Sequence, residues 1–212
     1  MSDDSKAREY LCKYGMLLYS RCLTSGSTGN ISVAHPDGGW LMTPTNVALG
    51  ELDPGKLARI DPRGRHIDGD SPTKEVLLHL AMYERQQRFR AVVHLHSTHA
   101  VAVSCLKNVN IHDCLPPITA YYVMRVGRLP LVPYFPPGDP LLADAVRKLA
   151  GDHHAVLLAN HGPVVAGDSL ENAGAAIEEL EETAKLHLLL QSHVSRPLTE
   201  EQVDTLRQRF GA

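Results

Sequence analysis

The run Arg90-Ala-Val-Val-His-Leu-His96 ends on two imidazoles two residues apart, and this spacing is where the chain first announces chemistry. Val92 and Val93 mark the run as a buried strand over residues 91–96. Residues i and i+2 of a strand point to one face, roughly 6.6 Å apart along it, so His94 and His96 can grip one metal ion with little rearrangement. Alone, such a pair is more often an ordinary polar strand face. Its company adds weight: Ser71-Pro-Thr-Lys-Glu75 lies upstream and Asn160-His161-Gly162 downstream, each at the edge of an apolar run.

Three imidazoles and a carboxylate make plausible ligands for Zn²⁺ or a similar divalent ion. His161 falls at a turn between two apolar strands, where its side chain can lean over a sheet end. Glu75 is expected in the first turn of a helix, where the macrodipole favours an ionised carboxylate able to bind metal or accept a proton. His99 is a rival third ligand, because His94-x-His96-x-x-His99 is also metal-like. It follows a Ser-Thr pair expected to start a helix, which favours a structural role.

Three polar loops can hold an anion. Thr28-Gly29-Asn30 combines backbone N–H donors with a side-chain amide, and Thr43 and Thr45 offer hydroxyls on either side of Pro44. Thr73-Lys74 places a cation beside the free amides of a helix N-terminus. Each is also what an ordinary turn looks like; beside a metal site they suggest a small phosphorylated substrate.

These residues need elements to position them. A helix is expected over about residues 6–22, with Tyr10, Leu11, Tyr14, Leu17 and Leu18 on one stripe. Strand 31–33, the Asp37-Gly38-Gly39 turn and strand 40–42 form a hairpin. Residues 57–60 and 65–67 read as a second strand pair. Ser71-Pro72 reads as a helix start, a Ser cap followed by Pro, for a helix reaching about residue 87. A helix follows the histidine strand over about residues 98–106, and 129–133 is extended. Asp139-Pro140 starts a helix to about residue 150, and apolar strands 155–159 and 163–166 flank Asn160-His-Gly162. Asp168 with Glu171 reads as a capping box for the longest helix, to about residue 191; Thr199 with Gln202 repeats the device for a terminal helix. His35, His66, His112 and His193 read as loop or polar-surface residues, and His79 and His187 as helix residues that can face solvent.

The 212 residues, with 43% hydrophobic content, suffice for one sizeable core. Nothing divides the chain, so the expectation is a single α/β domain over residues 1–212, a central and mainly antiparallel sheet flanked by helices. A net charge of −3 offers no basic stripe for nucleic acid. The acidic start lacks the apolar stretch of a signal peptide, and no apolar run approaches the roughly 20 residues that span a bilayer. Cys12, Cys22, Cys105 and Cys114 form no Cys-x-x-Cys pair and read as reduced core or helix residues. A cytoplasmic protein is expected.

Taken together, Thr28-Gly-Asn30, Thr43-Pro-Thr45, Thr73-Lys-Glu75, His94-x-His96 and Asn160-His-Gly162 resemble the class II aldolase/adducin family, over roughly residues 5–195. Within it, Gly26-Ser-Thr-Gly-Asn-Ile-Ser32, Pro72-Thr-Lys-Glu75, His94-Leu-His-Ser-Thr-His-Ala-Val-Ala-Val-Ser104, Tyr121-Tyr-Val-Met-Arg-Val-Gly127 and Glu178-Glu-Leu-Glu-Glu-Thr-Ala-Lys185 are most similar to the 3-oxo-tetronate 4-phosphate decarboxylases. The resemblance implies zinc, one ion per subunit, on His94, His96 and His161, with Glu75 as a possible fourth ligand and proton acceptor. It also implies phosphate contacts from Asn30, Thr43 and the Thr73-Lys74 turn, and a homotetramer. Tyr121, Tyr122 and the region after His193 are candidates to reach a neighbour's site, and either tyrosine is a candidate proton donor. Two departures stand out: sugar-phosphate aldolases of the family carry Ser-Ser where this chain has Thr73-Lys74, and Asn46 follows Thr45 where Gly is frequent.

The activity implied is zinc-dependent decarboxylation of a small phosphorylated 3-oxo acid to dihydroxyacetone phosphate and CO₂, with zinc offsetting the charge of the enediolate. The alternatives are a sugar-phosphate aldolase or epimerase of the fuculose or ribulose phosphate type, and a non-catalytic module like the adducin head.

Overall fold

The computed structural model describes residues 2–210. In chain order the elements are α1 (Asp3–Ser20), β1 (Asn30–Ala34), β2 (Trp40–Met42), β3 (Ala58–Ile60), β4 (His66–Asp68), α2 (Val76–Arg85), β5 (Ala91–His94) and α3 (Thr98–Ser104). There follow α4 (Ala120–Arg125), β6 (Leu131–Val132), α5 (Pro140–Leu149), β7 (Ala155–Leu158), β8 (Gly162–Gly167), α6 (Leu170–Leu190) and α7 (Glu200–Phe210). The eight strands form one sheet in the order β4-β3-β2-β1-β5-β8-β7-β6. Every pairing is antiparallel except β6 with β7, whose connection runs through α5, the crossover that parallel strands require.

Period-two alternation sorts the side chains between the two faces. Ile31 and Val33 of β1, Val93 of β5 and Val165 of β8 join Leu11, Leu18, Val103, Tyr122, Ile177 and Leu180 in a core under α1, α3, α4 and α6. Their neighbours in sequence point the other way: Val92 and Val164 pack with Met82 of α2 and Val146 of α5. Asn30, Ser32 and His94 share that second face by parity, so polar groups enter the α2 side of the sheet at one end of β1 and β5. No helix among the described residues is long and apolar enough to cross a membrane.

Several caps match the sequence. Asp139 accepts from Leu141 N–H, and Thr199 and Gln202 exchange reciprocal hydrogen bonds. The longest helix is capped one residue later than expected: Ser169 accepts from Asn172 N–H at 3.1 Å, while Asp168 holds the Asn172 amide at 2.5 Å.

Other expectations are corrected. The helix expected from Ser71-Pro72 starts at Val76. Residues 71–73 instead lie along residues 43–45, with a bridge between Pro44 and Pro72, Thr73 N–H on the Thr43 carbonyl and Thr45 N–H on the Ser71 carbonyl. Those backbone groups are satisfied by pairing, which removes any need for helical turns. Glu75 is therefore the residue before the helix, not part of its first turn. The histidine strand ends at His94, so His96 lies just beyond it. Helix α4 has no counterpart in the sequence reading. His79 and His35 are buried rather than exposed, His35 against Asp4 at 2.8 Å. All four cysteines are free, but only Cys114 is buried, and Cys22 and Cys105 are exposed.

Candidate metal centre and anion loops

Three segments distant in sequence meet at the His94 end of β5. The antiparallel register sets Asn30 opposite His94 on one side and Val164 opposite it on the other. The turn between β7 and β8 carries Asn160 in a left-handed conformation (φ 56°), then His161 and Gly162. A Cβ at Gly162 would lie 2.3 Å from the Leu95 carbonyl oxygen, so glycine alone lets this turn close onto the histidine strand. Gly29 does the same from the other side: its φ is 79°, and a Cβ there would come within 3.1 Å of the His94 carbonyl oxygen.

The result is a convergence of Nε2 atoms. His94 Nε2 lies 3.2 Å from that of His96 and 3.3 Å from that of His161. Glu75 Oε2 stands 3.3 Å from His94 Nε2, and Oε1 stands 3.5 Å from His161 Nε2. One ligand atom from each of the four residues falls within 4.8 Å of all the others. Nitrogens about 2.0–2.1 Å from one tetrahedral centre stand about 3.3–3.4 Å apart, which the imidazole separations match. His94 Nδ1 donates to the Pro163 carbonyl at 2.9 Å, which leaves the Nε2 lone pair facing its neighbours. Glu75 Oε1 is buried and has no hydrogen-bond partner among the described residues. A cluster of acceptors short of hydrogens fits a divalent cation, and the cluster can hold one.

The protonation states agree. Burial, with His94 and His161 alongside, pulls His96 down to about 4. Burial and His94 likewise hold His161 at about 4, so both rings are neutral at ordinary pH. For Glu75, burial alone would raise the pKa. His94, the hydrogen bond from Asn30 and His161 outweigh it, and the carboxylate sits below its ordinary value.

His99 is not in this group. Its Nδ1 and backbone N–H both meet Glu181 Oε1, at 2.8 and 2.9 Å, and Ala100 N–H meets Glu181 Oε2 at 2.8 Å. The buried Glu181 carboxylate thereby fixes the start of α3, and His99 is part of that support.

The anion loops are linked to Glu75 one after another. Glu75 N–H donates to Thr73 Oγ1 at 3.3 Å, Thr73 N–H to the Thr43 carbonyl at 3.1 Å, and Ile31 N–H to Thr43 Oγ1 at 3.1 Å. Thr43 and Thr73 are buried and keep their hydroxyl hydrogens to donate; Lys74 is exposed. Thr45 is held through its backbone, and Thr28 is tied by its hydroxyl to the Ser25 carbonyl at 2.6 Å. Asn30 differs from expectation: its amide is turned to Glu75 Oε2 at 2.8 Å and to His79 at 2.5 Å, inside the protein.

The two tyrosines part company. Tyr121 is 58% exposed, with the Arg125 guanidinium 5.4 Å from its ring centre. Tyr122 is buried in the apolar core, its hydroxyl is unpartnered among the described residues, and burial pushes its pKa far above the ordinary value. It is no proton donor to a substrate in its own subunit. Sequence reasoning missed His79, Ser32 and Tyr83, a buried polar row behind Glu75. The signal was available in the spacing Glu75-x-x-x-His79-x-x-x-Tyr83, one helix face of groups that need partners.

Comparison with known proteins bears on the chain as a whole. A 3-oxo-tetronate 4-phosphate decarboxylase of Escherichia coli (strain K12) is 46% identical over 211 residues, 98% of this chain and 100% of the relative. A protein of the same name from Cupriavidus necator is 48% identical over 190 residues, 90% of this chain and 87% of the relative. The crystal structure of YgbL, a putative aldolase/epimerase/decarboxylase from Escherichia coli, superposes with a TM-score of 0.95 at 45% identity, covering 97% of this chain and 100% of that one. The family model for the class II aldolase and adducin N-terminal domain matches residues 9–188, and the chain belongs to that family.

Proposed function

We propose that this chain, as a single catalytic domain, is a metal-dependent carbon–carbon lyase that converts 3-oxo-tetronate 4-phosphate to dihydroxyacetone phosphate and CO₂, with zinc as its ion. The observation that carries the reading is the convergence of three imidazole Nε2 atoms and one unpartnered carboxylate oxygen beside loops suited to a phosphate. Near-full-length similarity to proteins named for that substrate supports its identity.

His94, His96 and His161 would hold the ion, with Glu75 able to complete the set, and when bound it would supply a Lewis acid for the negative charge that develops on the substrate. As the C1–C2 bond breaks, its electron pair passes toward the C3 carbonyl and CO₂ leaves. A proton delivered to C2 then completes dihydroxyacetone phosphate. Glu75 carries that proton: ionised at rest, it takes it at the buried, unpartnered Oε1 from a water admitted with the substrate and passes it to C2, while Oε2 stays with Asn30. Thr43, Thr73, Lys74 and the Thr28-Gly29 turn hold the phosphate, with Thr45 shaping the loop. Asn30 serves them through its backbone and serves Glu75 through its side chain. The protein works as a homotetramer in this reading, with the exposed Tyr121 reaching a neighbouring site.

Incubation of the metal-loaded protein with 3-oxo-tetronate 4-phosphate should release CO₂ and dihydroxyacetone phosphate in equal amounts. Condensation of dihydroxyacetone phosphate with an aldehyde, without CO₂ release from the oxo acid, would make it an aldolase instead.

A further inference from the structure

Glu75, the residue that caps α2, and His79 and Tyr83 within the helix follow one another at four-residue spacing, with His79 N–H on the Glu75 carbonyl at 3.2 Å, and Asn30 and Ser32 stand two residues apart on the facing side of β1. Four helical residues rise about 6.0 Å and two strand residues about 6.7 Å, so the two rows interleave. From the site inward, Asn30 Nδ2 donates to Glu75 Oε2 at 2.8 Å, and Asn30 Oδ1 meets His79 Nε2 at 2.5 Å. His79 Nδ1 meets Ser32 Oγ at 2.7 Å. Ser32 Oγ lies 2.9 Å from the Tyr83 hydroxyl, which also reaches the Ser32 carbonyl at 3.1 Å. His79 is fully buried, and no part of the proposed chemistry uses it directly.

The hydrogens in this row have one consistent arrangement. An ionised carboxylate only accepts, so the Asn30 amide must turn its NH₂ toward Glu75 and its oxygen toward His79. That oxygen needs a donor, so neutral His79 carries its hydrogen on Nε2. Nδ1 is then an acceptor and takes the Ser32 hydroxyl hydrogen. The Tyr83 hydroxyl closes the row against Ser32.

We propose that His79 is a positioning residue for Glu75: its Nε2–H fixes the Asn30 amide, which holds Glu75 Oε2 and leaves Oε1 toward the three imidazoles. This rests on the role given to Glu75 above. With the opposite His79 tautomer, Asn30 would flip and set its oxygen against the carboxylate, a repulsive contact that displaces Glu75. Misplacement of a reacting group by even about 1 Å can lower turnover on the order of 100-fold.

Two measurements test the proposal. In the long-range ¹H–¹⁵N spectrum of the full protein labelled at histidine, the signals lost in His79→Gln should show hydrogen on Nε2 and a bare Nδ1. Hydrogen on Nδ1 would overturn the proposal whatever the activity. In kinetics, His79→Leu should keep its metal and its KM within about twofold but lose about 10–100-fold in kcat. His79→Gln, which keeps a donor near the Nε2 position, should recover most of that loss. A folded, metal-loaded His79→Leu at full rate, or equal loss in both variants, would also overturn it. If His79→Leu does not fold, the spectrum and His79→Gln decide. Normal turnover in Glu75→Gln would remove the role given to Glu75, while the spectrum would still decide how His79 holds Asn30.

Discussion

The Pro163 carbonyl accepts from His94 Nδ1 at 2.9 Å, and this bond ties the turn that carries His161 to the strand that carries His94. It fixes the tautomer and orientation of His94 while drawing the neighbouring imidazole within 3.3 Å. His161→Ala should therefore lower both metal content and turnover. His99→Ala should retain the metal, because the His99 ring is held by Glu181. Elemental analysis of the two purified variants checks this, and the reverse pattern would exchange their roles.

Gly162→Ala places a Cβ 2.3 Å from the Leu95 carbonyl oxygen, and backbone cannot rotate away as a side chain can. The expected effect is a loss of about 1–3 kcal/mol in stability, with weakened metal binding as the turn lifts from the strand. Thermal unfolding together with zinc titration measures both. Unchanged zinc affinity would mean that the turn's closeness is not needed for the site.

Acid should affect the metal-free protein in a defined window. His96 and His161 are held near 4 against an ordinary 6.5, and His79 is held near 3 by burial, with His94 adding to the shift. The unfolded chain therefore binds these protons first, so stability is complete above about pH 6.5 and falls as pH drops toward 4. Because His96 and His161 are already neutral, protons should not compete with zinc for these two rings until the pH approaches 4. Competition titrations from about pH 7 to 4 check it; a loss of zinc affinity steeper than about one proton per ion between about pH 6.5 and 5 would mean that these two rings titrate in the ordinary range.

How much of this was legible beforehand depended on whether the signal was local. His94, His96, His161 and Glu75 stand in short motifs at the ends of apolar runs, so residue type and spacing made them candidates, while the choice of His161 over His99 leaned on the family resemblance. Asp139 and the Thr199–Gln202 pair cap their own helices and were equally readable. The start of α2 was not, because Ser71-Pro72 carries a genuine local helix signal that pairing with residues 43–45 overrides. Helix α4 is only six residues long and lies against α6 and α7, so its periodicity is too brief to see. His79 shows the same limit: helical spacing gives its face, but its partners Asn30 and Ser32 lie on a strand far earlier in the chain.

Lys74 is exposed beside Thr73, whose hydroxyl is anchored on Glu75 N–H. A decarboxylase gains nothing by stabilising the departing carboxylate in the ground state, so the role proposed for this cation is to hold the retained phosphate. Lys74→Ala should raise KM for the phosphorylated substrate about tenfold, the scale of one charged hydrogen bond, with kcat little changed. Undiminished preference for phosphorylated over unphosphorylated 3-oxo acids would assign Lys74 elsewhere.

Glu75→Gln separates proton transfer from metal binding. Three imidazoles should keep the ion, while turnover falls about 10²–10⁴-fold, the usual contribution of a general acid–base group. Loss of the ion along with turnover would make Glu75 chiefly a ligand.

The central claim is that carbon–carbon cleavage occurs at the His94–His96–His161–Glu75 cluster and depends on the ion that cluster holds. CO₂ release from 3-oxo-tetronate 4-phosphate, measured on chelator-stripped protein as zinc is returned, tests it most directly. The rate should rise from near zero in proportion to bound zinc and level off at one ion per subunit. A stripped protein that releases CO₂ at the full rate would contradict it.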